Sequence, residues 1–260
     1  MPFISYHRPP EQPQRIVSLV PSQTETLYHL GMGDRVIALT RFCVHPSEWY
    51  RGKIRIGGTK SLHLGTIASL EPDLIIGNKE ENTADEVIEL SKYFPTWVTD
   101  VSSVTDGLNM IADLGALTHT QEHSVKLATA IATEFELLKP FAQPIRTLYL
   151  IWRRPWMAAG GDTFISDMMQ KAGMLNVFAD RSRYPTLQEA ELLAAAPQLI
   201  LLPSEPYPFK EGHLAEIKAL FPEAAVRNVD GEMMSWYGSR MLYGAAYLRQ
   251  LAEDLQQAGF

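Results

Sequence analysis

Short apolar runs, many of them β-branched, alternate with stretches of helical period along almost the whole chain. Ile16–Val20, Val36–Leu39, Leu74–Ile76 and Trp97–Val101 read as strands in the first half. Arg146–Trp152, Leu199–Leu202 and Val226–Val229 do so in the second. Apolar positions three and four apart predict helices over Glu25–Leu30, Thr66–Leu70, Thr83–Lys92, Thr105–Leu114 and Gln121–Leu138, and over Thr163–Ala172, Leu187–Ala195, Leu214–Leu220 and Arg240–Gln257. Strands separated by helical periods predict parallel sheets flanked by helices, an α/β fold.

The first strand and helix are the most telling pair. Ile16–Val20 stops at Pro21, and a helix start follows at once in P-S-Q-T-E-T. Ser22 and Glu25 have the spacing of a capping box, in which hydroxyl and carboxylate each satisfy an orphan backbone N–H. Leu27, Leu30 and Met32 continue the apolar face, Gly31 and Gly33 stop it, and Arg35–Leu39 opens the next strand. A strand that ends at a helix N-terminus aims amide donors into the space above the sheet, where parallel α/β proteins bind ligands. This is a binding architecture, and no catalytic constellation accompanies it.

The two halves echo each other. S-L-E-P-D-L-I-I-G (Ser69–Gly77) and A-A-A-P-Q-L-I-L-L (Ala194–Leu202) share a helix, a proline and a strand in the same order. Between them Gln121–Leu138 reads as one uninterrupted helix of about 27 Å. The expected organisation is an extended arm over 1–14, a lobe over 15–118, a bridging helix over 119–142 and a second lobe over 143–260.

Composition narrows the function. The chain has 260 residues, 46% of them apolar and 20% charged, as an ordinary globular protein does. No apolar run reaches the roughly 18 residues of a membrane span, so no membrane insertion is expected. A net charge of -7 argues against nucleic-acid binding. The single Cys43 excludes an internal disulfide and reads as a small buried side chain. The start of the chain, proline-rich and without a basic n-region or apolar h-region, predicts a cytoplasmic protein as written, or a periplasmic one if a signal has been removed. No phosphate loop, nucleophile elbow or zinc-hydrolase pattern occurs. Gly160-Gly161-Asp162-Thr163 reads as a turn and helix N-cap. His119 and His123, four apart, read as one polar helix face rather than a metal pair.

With these segments in place, the chain resembles the helical-backbone substrate-binding proteins of ABC importers for cobalamin, haem and ferric siderophores, the cobalamin-binding branch above all. R-I-V-S-L-V-P-S-Q-T-E-T-L, L-G-M-G-D-R-V-I-A-L-T-R-F-C-V-H-P, I-A-S-L-E-P-D-L-I-I-G, G-G-D-T-F-I-S-D-M-M-Q-K-A-G-M-L-N-V-F-A-D and L-L-A-A-A-P-Q-L-I-L-L match in order, from Arg15 to the C-terminus. The resemblance implies two α/β lobes joined by a long helix, a ligand cleft between lobes, no enzymatic activity and no intrinsic cofactor. The ligand would be cobalamin, haem or a ferric siderophore.

The resemblance also implies the ligand-facing positions. Pro21 and Ser22 form the floor. Arg41, Phe42, His45, Thr59 and Lys60 face the ligand from the first lobe. Trp152, Arg153, Arg154, Trp156, Arg181, Tyr184, Trp236 and Tyr237 do so from the second. Aromatic faces suit a large macrocycle, and the cations, Arg183 among them, suit its carboxylates or phosphate. His45 is the candidate axial ligand to the chelated metal. Family members dock on an ABC permease through one acidic residue per lobe, at positions held here by Gly65 and Ala190, the latter flanked by Glu189 and Glu191. Thr59 replaces an aromatic of cobalamin binders, and Trp236 an arginine. Two alternatives follow: a cytoplasmic relative without a permease, used for storage, sensing or delivery, and an interaction module with an empty cleft.

Overall fold

A computed structural model describes residues 7–260, which divide into two compact units. The first takes the described residues up to Val101, together with Thr105–Ile131 and Tyr237–Arg240. The second takes Ser102–Val104, Ala132–Trp236 and Met241–Phe260. Part of the expected N-terminal arm, residues 1–6, lies outside the described residues. No described helix is long and apolar enough to cross a membrane.

The first unit runs β1 (Ile16–Ser18), α1 (Pro21–His29), β2 (Val36–Leu39), α2 (Ser47–Gly52), β3 (Ile54–Arg55), the hairpin strands β4 (Gly57–Gly58) and β5 (Ser61–Leu62), α3 (Leu64–Ser69), β6 (Leu74–Asn78), α4 (Ala84–Ser91), β7 (Thr96–Thr99), α5 (Val104–Thr118) and α6 (Gln121–Glu136). Five parallel strands lie in the order β3-β2-β1-β6-β7. The central strands are covered on both faces, and Ile16, Val17, Leu74, Ile75 and Ile76 are fully buried. That burial is why they read as continuous apolar runs. The division between units falls inside α6, whose 16 residues span about 24 Å. It stops two residues short of the expected Leu138.

The second unit runs β8 (Ile145–Trp152), β9 (Trp156–Ala158), α7 (Phe164–Lys171), β10 (Met174–Asn176), β11 (Thr186–Leu187), α8 (Glu189–Ala194), β12 (Leu199–Pro203), α9 (Glu211–Leu220), β13 (Ala225–Val229), α10 (Gly231–Ser235) and, after the 3-10 turn Gly238–Arg240, α11 (Met241–Gln257). Strands β10, β8, β12 and β13 are parallel. The sheet then departs from the all-parallel expectation, because β9 turns back antiparallel on β8 and β11 pairs antiparallel with β9. Leu148, Leu150, Ile200, Leu202, Val226 and Phe178 form its core.

The echo between the halves extends to hydrogen bonds. Glu71 and Ala196, each just before the shared proline, both take a left-handed backbone, with φ of 46° and 42°. Arg15 donates to Leu70 O, and Arg146 donates to Ala195 O, so each arginine closes the helix before the proline. The residue after that proline, Asp73 or Gln198, accepts the backbone N–H of the same arginine. Each unit thus fastens the start of its first strand to the helix that precedes the neighbouring strand, β6 or β12.

Two capping expectations met opposite fates. Thr163 caps α7, its hydroxyl oxygen accepting from Ser166 N. The Ser22–Glu25 capping box does not form: α1 begins one residue earlier, with Pro21 at its first position and Val20 as N-cap. Proline is preorganised for that position, and the Glu25 carboxylate is held by a buried arginine instead.

Candidate functional site

In the first unit the candidate residues gather at the C-terminal ends of the parallel strands. Pro21 and Ser22 follow β1, Arg41, Phe42 and His45 follow β2, and Thr59 and Lys60 form the hairpin tip after β3. Phe42 is exposed, and the Arg41 guanidinium lies 5.1 Å from its ring centroid. Lys60 Nζ donates to Glu80 O, and Asn82 donates to Thr59 O. Pro21 and Ser22 are buried in the first turn of α1, beneath this face. Tyr237 enters from the returning segment, with its hydroxyl 3.5 Å from Glu81 Oε1. Burial, reinforced by the Glu81 charge, holds that phenol well above its ordinary range.

Beneath the face, α1 spends its polar residues on the ends of the strands. Gln23 Nε2 donates to Gly77 O and Thr99 Oγ1 at 3.0 and 2.6 Å. The Thr24 hydroxyl meets Ser18 Oγ at 2.7 Å and Cys43 Sγ at 3.1 Å. Cys43 is fully buried, as expected, and burial pushes its thiol up to about 11 against the hydrogen bonds of Thr24 and Thr40. The folded protein therefore keeps a proton that the unfolded chain releases near pH 8.5, so stability falls as pH rises from about 8.5 to about 11. We expect Cys43 to ignore a thiol reagent at neutral pH until the protein is unfolded. Rapid labelling of the native protein would show that the thiol is accessible.

In the second unit Trp152 ends β8 with its ring exposed, and Arg153 and Arg154 follow it. The Arg153 guanidinium is already engaged: Nη2 pairs with Glu216 Oε1 at 2.6 Å and the group lies 5.8 Å from the Trp156 ring. This pairing lowers the Glu216 carboxyl below its ordinary range. Arg181 pairs with Glu191 at 3.1 Å on an exposed surface, a contact worth about 0–1 kcal/mol. Arg154 is exposed, and Arg183 and Tyr184 are half-buried. Trp236 is buried, and its indole N–H donates to Glu205 Oε1 at 2.7 Å. The anion clamps and stacking faces expected from sequence are thus unequal. Trp152 offers an open ring, whereas Arg153, Arg181 and Trp236 have partners within the unit.

Four residues near these strand ends escape the sequence reading: Glu81 in the first unit, and Glu205, Tyr207 and Glu216 in the second. The strongest overlooked signal is S-E-P-Y-P-F-K directly after β12, two prolines and two aromatics at a strand's C-terminal end. The histidines take no metal-site form. His119 lies in the turn before α6 with φ of 56°, so it does not share a helical face with His123. His45 is half-buried. Among the described residues no group of three His, Cys, Asp or Glu side chains could hold a metal ion. At the permease-docking positions implied by the resemblance, Gly65 and Ala190 are both exposed.

Comparison with known proteins matches this arrangement. A vitamin B12-binding protein of Pectobacterium carotovorum subsp. carotovorum (strain PC1) is 25% identical over 243 residues, 90% of this chain and 86% of its own length. One from Vibrio cholerae serotype O1 is 28% identical over 210 residues, 77% of this chain and 74% of its own. The crystal structure of the periplasmic vitamin B12 binding protein BtuF of Vibrio cholerae superposes with a TM-score of 0.77 at 21% identity, covering 95% of this chain and all of that one (100%). The periplasmic haem-binding protein BhuT, in complex with two haems, gives 0.80 at 19%, covering 92% and 98%. These two structures share the fold. Residues 16–221, from β1 to the end of α9, match the family described as periplasmic binding protein, and the chain belongs to that family.

Proposed function

We propose that this chain is the ligand-capture component of an ABC-type importer for a metal chelate (cobalamin, haem or a ferric siderophore), with no chemistry of its own. The observation that carries the reading is family membership, joined to vitamin B12-binding relatives aligned over up to 93% of the chain. The strand-end faces support it. Phe42 in the first unit and Trp152 in the second expose flat apolar surface, and Arg41 and Arg154 stand beside them with their side chains exposed. Such faces suit a macrocycle carrying peripheral polar groups. His45 is the proposed axial contact to the chelated metal. The protein works in the periplasm if it follows its relatives.

The test is a titration of the purified protein with cyanocobalamin, cobinamide, haemin and ferric siderophores, followed by tryptophan quenching and equilibrium dialysis. Saturable binding at micromolar or tighter affinity supports the proposal and names the ligand. Silence across the panel overturns it in favour of an interaction module. Trp152→Ala is expected to weaken binding by about 1–3 kcal/mol as the loss of an aromatic anchor. Unchanged affinity would remove Trp152 from the site.

A second reading draws on the docking positions. Gly65 has no side chain, and Ala190 has only a methyl group, so neither can pair with a cationic permease surface. That favours a relative that binds the same ligand class for storage, sensing or delivery. Failure of the ligand-loaded protein to bind or stimulate an ABC permease for the same ligand would select it.

A further inference from the structure

Beside Trp152 a phenol is held with its oxygen against a histidine ring nitrogen. Tyr207 lies in the loop after β12, so it stands with Trp152 at the C-terminal ends of the second unit's parallel strands. The two ring centroids are 5.2 Å apart with the planes at 66°. Phe209 and His213 pack on the Tyr207 ring at 4.8 and 5.4 Å. The edge-to-face arrangement fixes the ring of Tyr207 against the exposed ring of Trp152.

Hydrogen-bond accounting then fixes the hydroxyl. The backbone N–H of Lys210 donates to His213 Nδ1 at 2.9 Å, at the start of α9. Nδ1 is therefore the acceptor, and the hydrogen of the neutral ring sits on Nε2. Nε2 lies 3.3 Å from the Tyr207 oxygen and donates to it. Arg153 pairs instead through Nη2 with Glu216 Oε1 at 2.6 Å. The phenol oxygen therefore accepts from His213, and its own hydrogen cannot point back at Nε2. That hydrogen is left to donate outward to a different acceptor.

We propose that Tyr207 is a ligand-contact residue whose hydroxyl, set as a donor by His213, selects a carbonyl or carboxylate oxygen at the ligand's periphery. His213 is a positioning residue that acts through Tyr207. This inference rests on the ligand-capture reading above and adds to it a specificity contact from an element that sequence reasoning left out.

The test uses the full chain with cyanocobalamin, which carries peripheral amides, and haemin, which carries carboxylates. Tyr207→Phe keeps the ring and removes the donor, and is expected to weaken binding of the probe that the wild type takes by about tenfold. His213→Asn keeps an acceptor for Lys210 N–H but has no donor within reach of Tyr207. It should match Tyr207→Phe in affinity while keeping the wild-type melting temperature. His213→Gln places an amide N–H near the position of Nε2 and should recover most of what His213→Asn loses. A purely structural role for His213 predicts the reverse order. Wild-type affinity in both Tyr207→Phe and His213→Asn overturns the inference and leaves the ligand reading standing. Wild-type binding to neither probe overturns this contact, and the ligand reading falls with it only if cobinamide and the ferric siderophores fail as well. Should Tyr207→Phe fail to fold, the Asn and Gln variants, which leave Tyr207 in place, decide alone.

Discussion

Arg240→Met is expected to destabilise the first unit by about 3–5 kcal/mol, because it strands a carboxylate in the interior. Arg240 Nε donates to Glu25 Oε2 at 2.9 Å and Nη2 reaches Oε1 at 2.7 Å, a bidentate pair with both side chains 8% exposed. Neighbouring contacts leave little room to adjust. Ser239 N donates to Thr26 Oγ1 at 3.0 Å, and Gly238 has φ of 75° with space for no side chain, since a Cβ would lie 2.2 Å from the same oxygen. Three residues, Gly238–Arg240, are thus pinned on α1, and water cannot easily reach Glu25 once the guanidinium is gone. Denaturant unfolding followed by the buried Trp97 would measure the loss. Adding Glu25→Leu to the same chain should restore much of it, because an apolar pair leaves no uncompensated charge. A single variant within about 1 kcal/mol of wild type would show that the carboxylate finds another partner, and the account of this clasp would fail.

That clasp also marks where sequence reading ran out. The spacing of Ser22 and Glu25 is that of a local capping box, yet Glu25 is taken by a residue 215 positions away. Local pattern cannot weigh such a competitor. It succeeds where one covered strand reveals itself alone: β1, β2, β6, β7, β8, β12 and β13 are all readable as apolar runs because they are interior or long enough to show a run. Strands β3, β4, β5, β9, β10 and β11 have two or three residues each, and their pairing is decided by neighbours rather than by their own composition.

The candidate site divides in the same way. Position is readable, since Arg41, Phe42, Trp152 and Arg153 each stand at or just beyond the C-terminal end of a strand. Availability is not. Arg153 is paired with Glu216, 63 residues on, and the indole of Trp236 is paired with Glu205, 31 residues back. A charge count over the loops sees the cations and misses the carboxylates that meet them. Tyr207 is the converse: its loop has the proline and aromatic content of a ligand-facing segment, and its importance follows only from the tautomer of His213.

Gly161→Ala is expected to cost about 3 kcal/mol or more and to weaken ligand binding with it, at or beyond the upper end for overpacking. Gly160 N and Gly161 N donate to Arg183 O and Arg181 O at 2.7 and 2.8 Å, and Asp162 accepts from Arg183 N. The turn before α7 therefore carries the segment with Arg181 and Tyr184 directly on its backbone. A Cβ on Gly161 would lie 2.0 Å from Ala179 O, and one on Gly160 would lie 2.4 Å from Arg181 O. Backbone oxygens have no rotamer to escape through, so either the segment lifts or the turn opens, and both move Tyr184. Gly212→Ala is the control, because it sits in α9 with nothing within 4 Å of its Cβ and should gain up to about 1 kcal/mol from helix propensity. Denaturant unfolding and ligand titration of both variants would separate the cases. If Gly161→Ala proves as stable as Gly212→Ala, the turn has slack, and the glycine pair in G-G-D-T does not set the position of Tyr184.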